Sequence, residues 1–490
     1  MPRSPKYAAF LAIKMGEKVW RRLILGPDLL DVQDRMKQSE KDQDKDLDEA
    51  ELGSEKAGSS SQYAKLLSSF SKSLSGIYHT IFLTAHIRNN ISRNYYKNRL
   101  YSFADDSLSL VKEDSDVKFF GVPSNHLHEM NRRFSDVMNF SEGISGFPSL
   151  VLLGLVAKFD SQIASFTRIL LKNNNDILSN SQSEVDISTI LRFDDINEVK
   201  DYLVDNEIYK LMHASHDDQV RYIEKTFSIK ITDYINNYPA FLEVFERRNL
   251  VAHGEGSVNE RYVNRCNAYK VPPDVRLDLN NSIYLGSDYL LEATDRLFEF
   301  GFLLFWWMWL KFEKDKCDEA YAIAIDSTFN LILDKRYALA SNILKSVLSR
   351  KDKGTSEVSM RILCVNRALC NKALKNKDWR TELDRFNWDA CSDNFKICIA
   401  ALDEDIDGVC SLMPAVSSNT VQAASKVSPE DFRTWPAFNW VRSTEKFKNA
   451  FLKTFKQELE SKPAPGSSSS AESENEVPPA PVSEMPQTLQ

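Results

Sequence analysis

Residues 240–253 read AFLEVFERRNLVAH. At about 100° of turn per residue, Glu246, Asn249 and His253 fall on one face, while Phe241, Val244, Phe245, Val251 and Ala252 fall on the other side. That two-sided pattern predicts an amphipathic helix. Pro239 marks the break from the preceding segment, because proline ends or kinks a helix that runs into it. Gly254 and Gly256 follow and end the helix, which places His253 in its last turn. Arg248 projects near the apolar arc, so it calls for a partner or an interface.

The same three- and four-residue spacing continues outward. It predicts helices over residues 63–91, 149–173, 217–227, 229–252 (interrupted near Tyr238 and Pro239) and 287–314. Pro148 sits in the first turn of the second of these, and Leu152, Leu155, Val156, Phe159, Ile163 and Phe166 begin its apolar stripe. Residues 300–310, FGFLLFWWMWL, are apolar on every side but only about half as long as a bilayer span. Glu299 and Lys311 close them, so they read as a buried core helix and not as a membrane segment. Beyond residue 318 the text changes to shorter paired helices, 319–333 with 336–349 and then 358–374. These have the small-residue spacing of helical hairpins without a strict repeat period. The expected fold class is all-α: an antiparallel helical bundle followed by a helical-hairpin, TPR-like C-terminal domain.

Composition sets the limits. The chain has 490 residues and a formal net charge of −8, so it is no basic nucleic-acid coat, and any RNA contact needs a local cationic patch. One such patch is Arg93, Tyr95, Tyr96, Lys97, Arg99 and Tyr101, although a solvated helix face gives the same pattern. The seven cysteines form no CxxC pair, and their odd number suits a reducing, cytoplasmic setting. His126 with His128, and His213 with His216, are close pairs without a fourth ligand. They read as surface residues, and no metal or cofactor is expected. Residues 35–61 are charged and Ser-rich, and residues 462–490 are rich in Pro, Ser and Glu, so both read as disordered. The expected division is an N-terminal helix (1–34), that linker, a helical extension (62–144), a central domain (145–317), a repeat-like domain (318–461) and the tail.

The chemistry concentrates at the end of the helix quoted first. An imidazole there is favoured as a cation by the helix dipole and opposed by neighbouring arginines, which suits proton transfer near neutral pH. Arg248 lies five residues before His253, about 7.5 Å along the axis, within reach of a guanidinium side chain. A base and a permanent cation are the parts needed to cleave RNA without metal. An Arg at such spacing from some His is expected about once by chance in a chain this long, so the spacing alone identifies nothing.

The stretch from His213 to Cys266, ASHDDQVRYIEKTFSIKI and then FLEVFERRNLVAHGEGSVNERYVNRC, resembles the HEPN superfamily. Arg248, Asn249 and His253 match the three positions of its Arg-Asn-x-x-x-His motif. Gly256, Val258, Asn259 and Tyr262 match a later Gly-x-Val-Asn-x-x-Tyr pattern, and the helix containing Asp160 resembles the family's opening helix. The resemblance covers roughly residues 145–315. A weaker likeness to a companion region lies in Asn366, Ala368, Asn387, Trp388, Phe395 and residues 435–438.

The resemblance implies a helical domain that forms a homodimer with two motifs facing each other, and a metal-independent endoribonuclease whose relatives act as toxins or effectors in bacterial defence. His253 would be the acid/base, Arg248 the phosphate stabiliser with Arg247 assisting, and Asn249 the residue that orients them. RNA is the expected partner, and a further protein partner would sit on the C-terminal helices. The alternative is a non-catalytic dimeric scaffold that uses those helical hairpins.

Overall fold

The computed structural model describes residues 10–15, 20–26, 61–86, 92–114, 117–174, 186–253, 257–350, 355–418 and 427–459. The expected linker, except Ser61, and the expected tail lie outside them.

Residues Met1–Ser60 form one unit. Within it β1 (Phe10–Met15) pairs antiparallel with β2 (Trp20–Gly26), Phe10 opposite Gly26. Over residues 10–15 and 20–26 the expected helix is therefore corrected to two paired antiparallel strands. Two largely apolar segments of six and seven residues, broken by Lys14, Arg21 and Arg22, are too short for periodicity to separate helix from strand, and Gly16 between them favours a turn.

The second unit, Ser61–Gln490, is mostly helical. It begins with α1 (Gln62–His86), α2 (Ser92–Tyr96), a π turn (Lys97–Tyr101) and α3 (Ser102–Ser107). A second hairpin, β3 (Ser109–Asp114) with β4 (Val117–Gly121), interrupts the extension expected to be wholly helical. Then come α4 (Leu127–Ser145), α5 (Phe147–Asn173), α6 (Ile187–Ile190), α7 (Ile196–His213) and α8 (His216–Thr226). A 3-10 turn (Ile231–Tyr234) replaces the first half of the helix expected over 229–252, and α9 (Tyr238–His253) is its second half. α10 (Glu260–Ala268) and α11 (Ser287–Phe312) follow. The C-terminal part holds α12 (Cys317–Leu333), α13 (Tyr337–Ser349), α14 (Glu357–Ala373), a 3-10 segment (Trp379–Arg385), α15 (Asp393–Leu402), α16 (Ile406–Ser418), α17 (Pro429–Thr434), α18 (Asn439–Arg442) and α19 (Glu445–Phe455).

α11 is the centre. Phe300 and residues 302–306 are all buried, as are Met308, Trp309 and Leu310, so the run read as a core helix is one. The two buried indoles keep their hydrogen bonds: Trp306 donates to the Ala320 carbonyl at 3.0 Å and Trp309 to Glu313 Oε2 at 3.0 Å. α1, α5, α9, α12 and α13 pack around it. Phe70 of α1 meets Phe298 and Phe305 of α11 with ring centroids 5.9 and 5.0 Å apart, and Phe166 of α5 stacks on Phe305 at 4.0 Å. α1 is thus part of the bundle and not an appendage to it. Buried Arg336, between α12 and α13, donates to Asp295 of α11 and lies 3.9 Å over the Tyr78 ring of α1. One apolar core therefore runs from Tyr63 to Phe451, across the boundary expected at 317/318.

The basic and aromatic patch packs on α4. Tyr95 stacks on Phe140 at 4.1 Å and Arg99 pairs with Asp136. The run Leu127–Asn173 is long and apolar enough to cross a bilayer by length and composition, and 17% of its most apolar window is buried.

Two consequences can be measured. A Cβ at Gly301 would lie 2.2 Å from Phe70 Cζ, inside the fully buried contact between α1 and α11. Gly301→Ala is expected to destabilise by about 1–3 kcal/mol despite its gain in helix propensity, and adding Phe70→Leu should recover part of the loss. Denaturant unfolding of the single and double variants reads this. The second concerns Glu299 on α11, which is 6% exposed and accepts the Asn236 N–H at 3.1 Å. Burial pushes its carboxyl from 4.5 up to about 7, the Asn236 N–H opposes this, and Asp295 adds to it. The folded state holds this proton more tightly than the unfolded chain, so the contribution is fully present below pH 4.5 and is lost as pH rises to about 7. Glu299→Gln should remove that loss, worth roughly 3 kcal/mol at most above pH 7 and nothing near pH 4. Thermal unfolding of both proteins across this range checks the sign.

Candidate functional site

α9 is started by Asn237, whose side-chain oxygen accepts the Ala240 N–H at 3.1 Å, with Pro239 in the first turn where its missing N–H costs nothing. Phe241, Val244 and Phe245 are buried as the pattern requires, but Val251 is half-buried and Ala252 exposed. The last turn therefore leaves the core and carries the motif toward solvent.

Glu243 is fully buried and is the anchor of the region. Its Oε1 accepts Arg247 Nε at 2.6 Å and the Tyr262 hydroxyl at 2.6 Å, and its Oε2 accepts the Tyr289 hydroxyl at 3.0 Å. Arg247 also donates to the Tyr284 carbonyl at 3.0 Å and the Val275 carbonyl at 2.7 Å, with its guanidinium 3.7 Å over the Tyr289 ring. Tyr262 in turn accepts the Leu277 N–H at 3.1 Å. One ion pair thus ties α9 to α10, α11 and the segment between them. Burial, reinforced by the Glu243 charge, raises the pKa of the Tyr262 and Tyr289 phenols, which keeps both as donors at neutral pH. Arg247, expected to assist at the phosphate, is 2% exposed and cannot reach one, so its part is corrected to holding the fold.

Arg248, one residue on and about 100° around the helix, has a different environment. It is a quarter exposed, its Nη2 lies 3.7 Å from Asp160 Oδ2 of α5, and its Nε has no hydrogen-bond partner. The partner that the sequence called for is Asp160. The other oxygen of Asp160 lies 2.9 Å from His216 Nε2, at the start of α8, and the His216 ring stacks on Phe245 at 3.5 Å. His216 was expected at the surface, but its side chain is only 11% exposed. The correction has a physical reason: Asp160 accepts its ring nitrogen while Phe245 covers its face.

Asn249 and Glu246 line a polar cavity of about 240 Å³ together with His213, His216, Arg261 and Arg265. Arg265 of α10 pairs with Glu246 at 3.2 Å, and Arg261 is exposed. Tyr269, on the same wall, has its phenol pushed up to about 12 by burial. His253 is exposed in the last turn of α9, one turn beyond Asn249, and does not line the cavity. The structure thus brings Asn249 to the cavity, ties Arg248 to its rear wall through Asp160 and His216, and leaves His253 open to solvent. Of the residues that sequence reasoning passed over, Glu243 had a visible signal in its four-residue spacing to Arg247. His216 had none, because its partners come from α5 and α9.

Compared with family models, with curated proteins and with solved structures, the chain shows no match.

Glu243→Ala leaves a buried guanidinium without its counter-charge and is expected to cost about 3–5 kcal/mol, whereas replacing the pair together by Glu243→Leu and Arg247→Met should cost far less. Denaturant unfolding of the two proteins separates these outcomes.

Proposed function

We propose that the chain is a metal-independent endoribonuclease of the HEPN type. The observation that carries this reading is the division of labour between adjacent arginines. Glu243 holds Arg247 in the core, which leaves Arg248 incompletely paired beside a polar cavity that carries Arg261 and Arg265, on the helix that ends in the exposed His253. An exposed imidazole can meet a large substrate, as one packed against the C-terminal helices could not.

In this reading the ribose 2′-oxygen attacks the adjacent phosphorus while His253 takes its proton. Arg248 stabilises the charge on the phosphorane oxygens, and Asn249, one turn before His253, orients the reacting groups. The bond to the 5′-oxygen breaks as that oxygen takes a proton from water, and the resulting hydroxide takes back the proton that His253 accepted. The products are a 2′,3′-cyclic phosphate and a 5′-hydroxyl. The net charge of −8 is compatible with this if Arg248, Arg261 and Arg265 supply a local cationic patch. Two copies with facing α9 helices would complete the cleft, and a defence or toxin role in the cytoplasm fits such an activity. The helical hairpins beyond residue 318 offer a surface for a protein partner.

The test is cleavage of a mixed RNA pool in EDTA by wild type, His253→Ala and Arg248→Ala. Cleavage by wild type alone, leaving cyclic phosphate ends, with a loss of about 10²-fold or more in each variant, is expected. If wild type is inert, or the variants cut as it does, the catalytic reading fails and a dimeric scaffold takes its place.

A further inference from the structure

A second cavity, remote in sequence from α9, lies among α12, α14, α15 and residues 427–435, with a volume of about 230 Å³. Its walls carry three side-chain polar atoms without hydrogen-bond partners: Asn366 Oδ1, Asn394 Oδ1 and Trp435 Nε1. Asn366 is 1% and Asn394 7% exposed. Folded proteins leave few buried polar groups unpaired, because each forfeits its bonds to water. Three around one cavity mark a place where the contents of the cavity, water or a ligand, supply the partners.

We propose that this cavity binds a nucleobase or nucleoside that carries no phosphate. The chemistry of the walls selects that class. Phe329, Phe395 and Trp435 provide aromatic surface for a planar ring, and base stacking on such side chains tolerates any base. The two amide oxygens accept N–H groups and the indole donates one hydrogen bond, which matches the mixed donor and acceptor edge of a base; asparagine is the residue that pairs with the adenine edge in nucleic-acid recognition. Phosphate is excluded by charge. Asp326 and Asp431 line the cavity, and no Lys or Arg does. Burial raises the Asp326 carboxyl above its ordinary value, the direction that a site without cations imposes. Asp431 is engaged with Ser428, accepting its backbone N–H at 2.6 Å, so it shapes the wall more than it reads the ligand. Size agrees. The volume is below the roughly 300–1,000 Å³ typical of sites for drug-sized molecules, which leaves room for one base with its sugar.

The inference does not rest on the ribonuclease reading, because none of the residues involved belongs to the α9 site. The experiment is calorimetric titration of the full chain with adenine, adenosine, guanosine, cytidine and adenosine 5′-monophosphate. Saturable binding of one molecule of a base or nucleoside per chain is expected, with the monophosphate at least about tenfold weaker than adenosine. Asn366→Leu and Trp435→Phe should each weaken that binding by about tenfold or more, the amount one lost base contact is worth. Asn366→Leu should also raise the melting temperature of the unliganded protein, because it removes an unpaired buried group and keeps the side-chain shape. A purely structural asparagine would lower it. If Asn366→Leu fails to fold, Trp435→Phe, which keeps the aromatic wall, carries the test. Absence of binding by wild type up to about 1 mM overturns the proposal. So does binding that both variants retain, or a monophosphate that binds as tightly as its nucleoside.

Discussion

A helix that is apolar around its whole circumference can rest on no surface, and α11 is such a helix over residues 300–310. Every one of its faces has to be covered, and each covering element contributes what that face requires. α1 and α5 bring Phe70 and Phe166, and α9 brings Phe241, stacked on Phe300 at 4.3 Å. α12 accepts the Trp306 indole proton through the Ala320 carbonyl. The covering helices come from widely separated parts of the chain, so burying one helix is enough to join the N-terminal helix, the central helices and the C-terminal helices in one core. The shared core also explains why the boundary expected near residue 318 has no physical counterpart: a change in helix length and spacing is a change of pattern, not a gap in packing.

The same helix fixes the candidate site at one remove. Tyr289 lies near the start of α11 and donates to Glu243, which holds Arg247, which in turn binds carbonyls of the segment between α10 and α11. Buried ion pairs are a poor source of net stability, because desolvation consumes most of what attraction returns. What this pair supplies is register. With Glu243 and Arg247 fixed on the inner side of α9, Arg248 and Asn249 are turned toward α5, α8 and α10, and the rotation of the helix is no longer free.

Much of this could be read in the sequence, and what could not fails for specific reasons. The long helices are legible because their apolar stripes exceed any strand, and Pro148 and Pro239 mark their starts. Residues 10–15 and 20–26 are not, because largely apolar segments of six or seven residues are equally at home in either conformation. Val251 and Ala252 carry the apolar pattern past the point where the core ends, since periodicity reports a face and not whether anything covers it. Arg247 and Arg248 are indistinguishable as letters. What separates them is the carboxylate four residues earlier, a local signal that identifies which arginine is already taken. Asp160 and His216 needed the fold itself, because their contact joins α5 to α8 across 56 positions of sequence.

The two cavities differ in the balance of their charged linings, in a chain with a net charge of −8. Around Asn249 the charged lining is mixed, Arg261 and Arg265 with Asp217 and Glu246, and the two carboxylates are paired with Arg221 and Arg265. Around Asn366 the charged lining is acidic throughout, and the neutral polar atoms are the ones left without partners. Two guanidinium groups offset the carboxylates of the first and no cation offsets those of the second, so a phosphate is opposed by charge more strongly in the second. Both offer aromatic surface, Phe245 and Tyr269 in the first and Phe329, Phe395 and Trp435 in the second, but only the second has buried side-chain polar atoms in its lining without hydrogen-bond partners. A molecule carrying both a base and a phosphate is therefore opposed at its phosphate by the second cavity, whatever its base gains there.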